Sequence, residues 1–219
     1  MATPYLQILH EEVPSTQEIA RARFDALPIA VIASSQTAGR GRSGATWETA
    51  PRALAVSLAF RRSGGDLRPF SLMAGVAACR ATEQPCLLKW PNDVLLDDQK
   101  TGGILVEESD DVVVVGLGMN LWWPDPPDVV GALFGVDPGQ ARHVEIGALW
   151  AAEMMSLLDG DGWAEDEYRD LCSTIGREIT WEPDGSGVAI EVSAAGELIV
   201  EGLEGRQVIR SGAVWHVRA

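Results

Sequence analysis

Lysine is almost absent from this sequence. Of its 17 basic residues only Lys89 and Lys100 are lysines, and 32 acidic residues give a formal net charge of −15. This balance argues against a general nucleic-acid-binding protein, because phosphate contacts come from dense clusters of lysine and arginine. Both lysines fall in one short stretch, so positive charge in that stretch is informative.

Cysteine and histidine are also scarce, with three of each. An odd number of cysteines without C-x-x-C spacing predicts reduced thiols rather than disulfides or a zinc site. No apolar run approaches the ~20 residues that cross a bilayer. The N-terminal stretch lacks the basic and apolar regions of a secretory signal. We therefore expect a cytoplasmic protein with no membrane partner.

Periodicity predicts an α+β fold in two parts. Apolar and alternating runs predict strands at 5–13, 28–35, 54–60 and 111–121, and two more within 85–108 joined by a polar turn. Helical spacing predicts helices within 14–24, 71–84, 145–160 and 163–175. Beyond residue 175, five short alternating stretches separated by turn residues predict a small all-β barrel or sheet. We divide the chain into 1–174 and 175–219.

A glycine loop follows the second predicted strand, with Gly39, Gly41 and Gly44 in G-x-G-x-x-G spacing. That spacing binds a dinucleotide only where a helix begins directly after it. Here Pro51 and an alternating run predict a strand instead, so a dinucleotide oxidoreductase rests on the glycine spacing alone. The loop also carries Arg40 and Arg42, which together with a glycine backbone suit an acidic ligand.

Three other stretches carry polar groups next to predicted elements. Ser15 and Glu18 have the capping-box spacing, and a helix that begins there also offers hydroxyls and N–H groups to a ligand. "KWPND" places Lys89 immediately before a proline turn. "GLGMN", at 116–120, ends a buried strand with little side-chain bulk, where a flat or extended ligand could pass.

Five motifs together closely resemble biotin protein ligases, in order and spacing along nearly the whole chain. They are "STQ" at 15–17, "QTAGRGRSGATW" at 36–47, "KWPND" at 89–93, "KTGGILVE" at 100–107 and "GLGMN" at 116–120. The resemblance implies a catalytic domain related to class II aminoacyl-tRNA synthetases, with a mixed β-sheet and helices, followed by a small SH3-like β-barrel. Ser43 departs from the pattern, since some members carry an arginine there.

The resemblance also implies an ATP-dependent ligase with two half-reactions. Biotin and Mg-ATP give biotinyl-adenylate and pyrophosphate, and a lysine of a biotin carboxyl carrier protein then takes the biotinyl group. The implied cofactors are ATP and Mg²⁺, and the implied assembly is a monomer or homodimer. Because the first predicted strand begins at about residue 5, we expect no winged-helix repressor domain of the kind that some members carry.

The first half-reaction brings a carboxylate to a polyphosphate, so it needs charge neutralisation more than base catalysis. By resemblance the catalytic cations are Lys89, Arg40 and Arg42. Biotin is expected to contact Ser15, Thr16, Gln17, Gln36, Gly39, Arg40, Gly41, Arg42, Lys89, Gly103 and Gly118. ATP or the adenylate is expected to contact Arg40, Arg42, Trp47, Lys89, Asn92 and Asn120. We expect the glycine loop to be mobile in the free protein, because its arginines lack an anionic partner there.

Two alternatives stay open at this point. A lipoate or octanoate ligase shares the fold and the mixed-anhydride chemistry, although that family usually lacks "KWP". A biotin-responsive regulatory protein would bind the same ligand without catalysis. Individual residues also have simpler explanations, because Trp47 and Trp90 could be core aromatics and Gly102 and Gly103 could serve only a turn.

Overall fold

The computed structural model describes residues 3–62, 64–160 and 162–217, and these form a mixed α+β structure built on two sheets. The first sheet contains β1 (Leu6–Val13), β2 (Ile29–Gln36), β3 (Arg52–Arg61), β4 (Leu87–Lys89), β5 (Asp93–Leu96), β6 (Gln99–Ser109) and β7 (Val112–Trp122). The helices are α1 (Thr16–Arg23), α2 (Arg68–Thr82), α3 (Arg142–Leu158) and α4 (Glu165–Leu171), with a short 3₁₀ turn at Arg42–Gly44. The second sheet contains β8 (Glu178–Trp181), β9 (Gly185–Val192), β10 (Leu198–Gly202), β11 (Gly205–Ile209) and β12 (Val214–His216).

The first sheet has seven strands in the order β1-β2-β3-β7-β6-β5-β4. Only β1 and β2 pair in parallel, and every other neighbouring pair is antiparallel. The chain passes from the glycine loop, which contains only the short 3₁₀ turn, into β3, and this confirms the strand predicted after the loop. The prediction of two strands within 85–108 is wrong, because Pro91 has no N–H for a ladder and the chain turns there into a third strand.

Helices cover the two faces of this sheet unequally. The strands alternate their side chains, so Val113 and Val115 join the large core beneath α2 and α3, whereas Val114 packs with Ala20 of α1. The face beneath α1 therefore has a smaller apolar cluster. Part of that face is left for polar residues, and the candidate site lies there. No helix in the described part of the chain is long and apolar enough to cross a membrane.

The second sheet has five antiparallel strands in the order β11-β10-β9-β8-β12, and it is open. The expectation of a closed SH3-like barrel is not confirmed, because the two outer strands, β11 and β12, share no ladder. The segment between those strands reaches toward the first sheet instead, where Gly212 accepts a hydrogen bond from Arg42. The domain division at 174/175 stays a prediction; it falls in the loop between α4 and β8.

The C-terminal sheet packs firmly against the rest of the chain, as its short connection predicts. Its buried residues belong to the same apolar core as those beneath α2 and α3. The indole of Trp90 is 2% exposed and donates to the carbonyl of Gly196 at 3.0 Å. Arg68 also pairs with Glu197 at 3.0 Å. Trp90 is thus a core aromatic, and the three cysteines, Cys79, Cys86 and Cys172, are free thiols.

His216 of β12 joins the two sheets through a threonine. Thr174 Oγ1 accepts from the backbone N–H of Trp90 at 3.0 Å and is hydrogen-bonded to His216 Nε2 at 3.1 Å. Burial lowers the pKa of His216 to about 4, and the charges of Lys89 and Arg177 act in the same direction.

This histidine predicts an acid-dependent loss of stability. The unfolded chain binds a proton to His216 at a pKa near 6.5 and the folded chain only near 4, so the free energy of unfolding falls as the pH drops through that interval. About one pH unit above 6.5 this residue is neutral in both states and contributes no pH dependence. Urea unfolding of H216Q at pH 7 and pH 4.5 should show a weaker loss than the unsubstituted protein. H10Q, in β1, is the matched control, and an equal loss in H216Q would contradict the assignment.

Candidate active site

A cavity of about 380 Å³ opens beneath the N-terminus of α1, on the α1 face of the seven-stranded sheet. Four segments surround it: the start of α1, the glycine loop, the β5–β6 region and the turn at Gly212 and Ala213. Most of the sequence-predicted site residues line it, namely Ser15, Thr16, Gln17, Gln36, Arg40, Gly41, Arg42, Trp47, Asn92, Gly103 and Gly118. Gly39, Lys89 and Asn120 are not among the lining residues.

Strand register builds the floor of the cavity. Ser57, Gly116 and Leu105 form one cross-strand row, and Ala55, Gly118 and Gly103 form the next. Glycines at these positions leave space above the sheet, as the sequence predicts. Trp47 fills part of that space, because a Cβ on Gly118 would lie 2.8 Å from its indole and a Cβ on Gly103 would lie 3.0 Å away. The indole therefore packs directly on the backbone of β6 and β7 at these two glycines.

A directed chain of hydrogen bonds lies at one end of the cavity. Gln36 Oε1 accepts from Thr16 N at 2.8 Å and from Thr16 Oγ1 at 3.0 Å, and Thr16 Oγ1 is 2.8 Å from Ser57 Oγ. Since the Thr16 proton goes to Gln36, Ser57 must donate to Thr16. Ser57 is left with free acceptor lone pairs, and Gln36 keeps its N–H₂ donors. Ser15 caps α1 by accepting from Glu18 N.

Gln17 adds a second acceptor beside Ser57. Its side chain is almost fully buried, and its Oε1 has no hydrogen-bond partner. That oxygen lies 2.9 Å from the position a Cβ on Gly116 would take, and Ser57 Oγ lies 3.2 Å from the same point. Two acceptors thus converge above Gly116, where the backbone carries no side chain.

Cations line the rest of the cavity. Arg40 pairs with Glu18 at 3.5 Å and with Glu107 at 3.6 Å, so the expectation that the loop arginines lack an anionic partner is wrong for this residue. Arg42 donates to Asn92 Oδ1 at 3.0 Å and to the Gly212 carbonyl at 3.3 Å, both of them neutral acceptors. Asn92 is held by Ile104, which accepts from its Nδ2 at 3.1 Å.

The two lysines lie in different surroundings. Lys100 lines the cavity, with its Nζ 2.6 Å from Asp93 and 5.9 Å from the centre of the Trp47 ring. Lys89 ends β4 at the sheet edge and does not line the cavity. Burial lowers the pKa of Lys89, opposed by the charge of Asp93. Lys100, the first residue of the motif "KTGGILVE", is therefore the lysine that lines the cavity, although no role was predicted for it from the sequence.

Gly39 and Asn120 stand behind the cavity rather than in its wall. A Cβ on Gly39 would lie 3.2 Å from both the Gln36 amide nitrogen and Trp47, so its lack of a side chain lets those residues approach. Asn120 is buried and donates to the Gly131 carbonyl at 3.0 Å. The ligand contacts predicted for Gly39 and Asn120 are therefore not supported by the lining of the cavity.

The cavity lining is positively charged, although the chain as a whole is strongly acidic. Its charged lining residues are Arg40, Arg42, Lys100 and Asp93, a formal charge of +2 in a protein of −15. The cavity therefore combines an end rich in hydrogen-bond acceptors with a region lined by cations. Such an arrangement suits an extended ligand with a polar head and an anionic tail, and it provides charge for a second anion beside that tail.

Comparisons with known proteins agree with this chemistry. Residues 11–120 match the model of the biotin/lipoate A/B protein ligase family. The chain is 31% identical to a biotin–[acetyl-CoA-carboxylase] ligase of Paracoccus denitrificans, over 84% of this chain and 89% of that one. It is also 31% identical to the ligase of the same name from Mycobacterium tuberculosis, over 87% and 79%. A structure of the Aquifex aeolicus biotin protein ligase in complex with biotin and ATP superposes with a TM-score of 0.82, at 26% identity, over 98% of this chain and 99% of that one.

Proposed function

This chain belongs to the biotin/lipoate A/B protein ligase family, and from that premise we infer that it is a biotin protein ligase. It activates biotin with ATP to biotinyl-5′-AMP and passes the biotinyl group to a lysine of a biotin carboxyl carrier protein. One observation carries the choice of substrate: hydrogen-bond acceptors and cations line one and the same cavity. Biotin has that polarity, with a cyclic urea at one end and a carboxylate at the other.

The polar end favours a urea over the dithiolane ring of lipoate. Ser57 has acceptor capacity and Gln36 has donors, and a cyclic urea offers both N–H groups and a carbonyl. A dithiolane has neither and would leave those polar groups unpaired, at a cost of about 1–3 kcal/mol for each buried group. Of the alternatives raised by the sequence, the lipoate or octanoate ligase is therefore disfavoured.

We propose that the cations carry the first half-reaction. The biotin carboxylate attacks the α-phosphorus of ATP, the bond to the bridging oxygen breaks, and pyrophosphate leaves. Lys100 and Arg40 stabilise the negative charge as the two anions meet, because preorganised cations stabilise charge that develops in the transition state. Arg42 contributes its charge to holding the adenylate once it has formed. Lys100 and Asp93 both line the cavity, so Lys100 can leave its pair with Asp93 and bind a phosphate oxygen when the ligand arrives.

The residues present fit a Mg²⁺ ion that arrives with ATP. Among the described residues no group of three or more His, Cys, Asp or Glu side chains is arranged to hold a metal. Asp93 is the carboxylate in the cavity wall, next to the Asn92 amide. Mg²⁺ is commonly bound by one or two carboxylates together with substrate phosphates, and it would neutralise phosphate charge there. We propose Asp93 and Asn92 as the protein groups nearest to it.

The second half-reaction needs access for a protein lysine. We propose that its uncharged amine attacks the acyl carbon of the adenylate, an amide bond forms, and AMP leaves with the anhydride oxygen. Gly212 and Ala213 bring the C-terminal sheet to the rim of the cavity, so that sheet can close the nucleotide side of the site. The carrier is a domain of a biotin-dependent carboxylase, as the names of the relatives indicate. A monomeric or homodimeric state and a cytoplasmic location stay predictions.

A labelling reaction tests this function. We expect the protein with ATP, Mg²⁺ and biotin to raise the mass of a carrier domain by one biotinyl group, and a carrier whose target lysine is arginine to stay unlabelled. Lipoate at the same concentration should give no mass gain and should not compete in pyrophosphate release. A lipoyl adduct without a biotinyl adduct would establish the other branch of the family.

A further inference from the structure

The carboxylate of Glu107 meets three groups from the cavity side of α1 and the glycine loop. Its Oε2 lies 3.2 Å from Gln17 Nε2, 3.4 Å from Arg21 Nη2 and 3.6 Å from Arg40 Nη2. Glu107 does not line the cavity itself, and its side chain is 28% exposed. It acts on the cavity only through the residues that it contacts.

The contact with Gln17 decides which end of that amide faces the ligand. Nε2 points to two acceptors, Glu107 Oε2 at 3.2 Å and the Leu105 carbonyl at 3.4 Å. If the amide were turned over, its oxygen would face a carboxylate and a carbonyl, which repel it. The amide therefore presents Oε1 to the cavity, where that buried oxygen has no partner.

We propose that Glu107 is a positioning residue for substrate selection: it holds the Gln17 amide so that Oε1 and Ser57 Oγ together receive N–H donors of the ligand head. This inference rests on the proposed function and names a determinant of its specificity. The two acceptors lie within 3.2 Å of one point above Gly116, which matches a compact head group with adjacent N–H groups. The substrate class selected is a cyclic urea with free N–H groups.

Methionine substitutions test this role, because methionine keeps an unbranched chain and removes the oxygens. We expect E107M to raise the KM for biotin about tenfold, the scale of one lost ligand hydrogen bond. The KM for ATP and kcat at saturating biotin should stay within about twofold. Q17M should give a similar increase, and the double variant should show no further increase, because Glu107 acts through Gln17. E108M removes the neighbouring exposed carboxylate and is the matched control.

A second measurement uses biotin methylated on a ureido nitrogen. Wild-type protein should prefer biotin strongly over this analogue, and the preference should shrink in both Q17M and E107M but not in E108M. A purely structural loss would lower activity with both ligands equally. Binding of biotin alone, measured by calorimetry without ATP, gives the same comparison for any variant with weak catalysis.

The outcomes are distinguishable from failure of the proposed function. If wild-type protein forms no adenylate from biotin, the function itself is wrong. If it does and E107M behaves like E108M, the role of Glu107 is overturned. An increase confined to the KM for ATP, or E107M and Q17M effects that multiply in the double variant, would show that Glu107 acts through Arg40 instead and would also overturn the proposal.

Discussion

Replacing Lys100 with alanine is expected to reduce biotinyl-adenylate formation by roughly 10²-fold or more, the scale for removing one preorganised electrostatic donor from an active site. The Nζ of Lys100 enters the cavity between Asp93 and Trp47, and we propose that the carboxylate and the α-phosphate meet there. Without it, two anions approach with one cation fewer. Biotin-dependent exchange of labelled pyrophosphate into ATP measures this step directly.

Lys89→Ala is the matched control, because these are the two lysines of the chain and they lie close to each other. Lys89 lies outside the cavity wall and should support adenylate formation within a few fold of the wild-type rate. The two thermal unfolding curves should be recorded alongside, since Lys89 is half-buried near His216. If K89A abolishes exchange and K100A does not, the assignment based on the sequence is right and the one based on the cavity is wrong.

The two lysines also show where sequence reasoning reaches its limit. "KWPND" attracts attention because a lysine beside a proline turn has a fixed position, but position along the chain does not say which face the side chain takes. That depends on the pairing of β4 with β5 and of β5 with β6, including a register shift between Val94 and Leu95. A one-residue shift of register moves a side chain to the other face of a sheet.

Short-range sequence patterns predicted those parts of the fold that depend on a single helix, strand or cap. The Ser15 cap, the strand after the glycine loop and the helices beneath the sheet follow from short-range patterns. Closure of the C-terminal sheet depends on whether β11 pairs with β12, which no local pattern specifies. The segment between them contacts Arg42 instead.

The partners of Arg40 were equally hidden in the sequence. Glu18 and Glu107 are far apart along the chain, and only the packing of α1 on the sheet that contains β6 brings both carboxylates to one guanidinium. The orphan oxygen of Gln17 is a second case, because its orientation follows from acceptors on β6. The residue types therefore indicated that the site binds anions. The directions of the hydrogen bonds that select a substrate could be seen only in the folded structure.

Arg42 has a different role from Lys100, and its contacts determine the expected phenotype. It is the cavity arginine that bridges the glycine loop to both Asn92 and the C-terminal turn at Gly212. Its partners are neutral, so its charge is available to a phosphate. We infer that Arg42 holds the glycine loop as a lid over the adenylate rather than driving bond formation.

Arg42→Ala should therefore release the intermediate. Adenylate should still form, but its lifetime on the protein should shorten by roughly 10- to 100-fold, because one charge-assisted contact and one lid contact are lost. Released biotinyl-5′-AMP reacts with any exposed amine, so R42A should biotinylate an unrelated protein such as serum albumin, which wild-type protein leaves unlabelled. Rapid gel filtration after a single turnover with α-labelled ATP measures the lifetime.

Arg210→Ala is the control for this last prediction. Arg210 lies in the same groove as Arg42 between the two sheets, pairs with Glu197 at 2.9 Å and does not line the cavity. It should retain the adenylate as long as wild-type protein does, although it removes the same charge. An R42A lifetime equal to that of R210A would show that the link from the glycine loop to the C-terminal sheet has no part in retention of the adenylate.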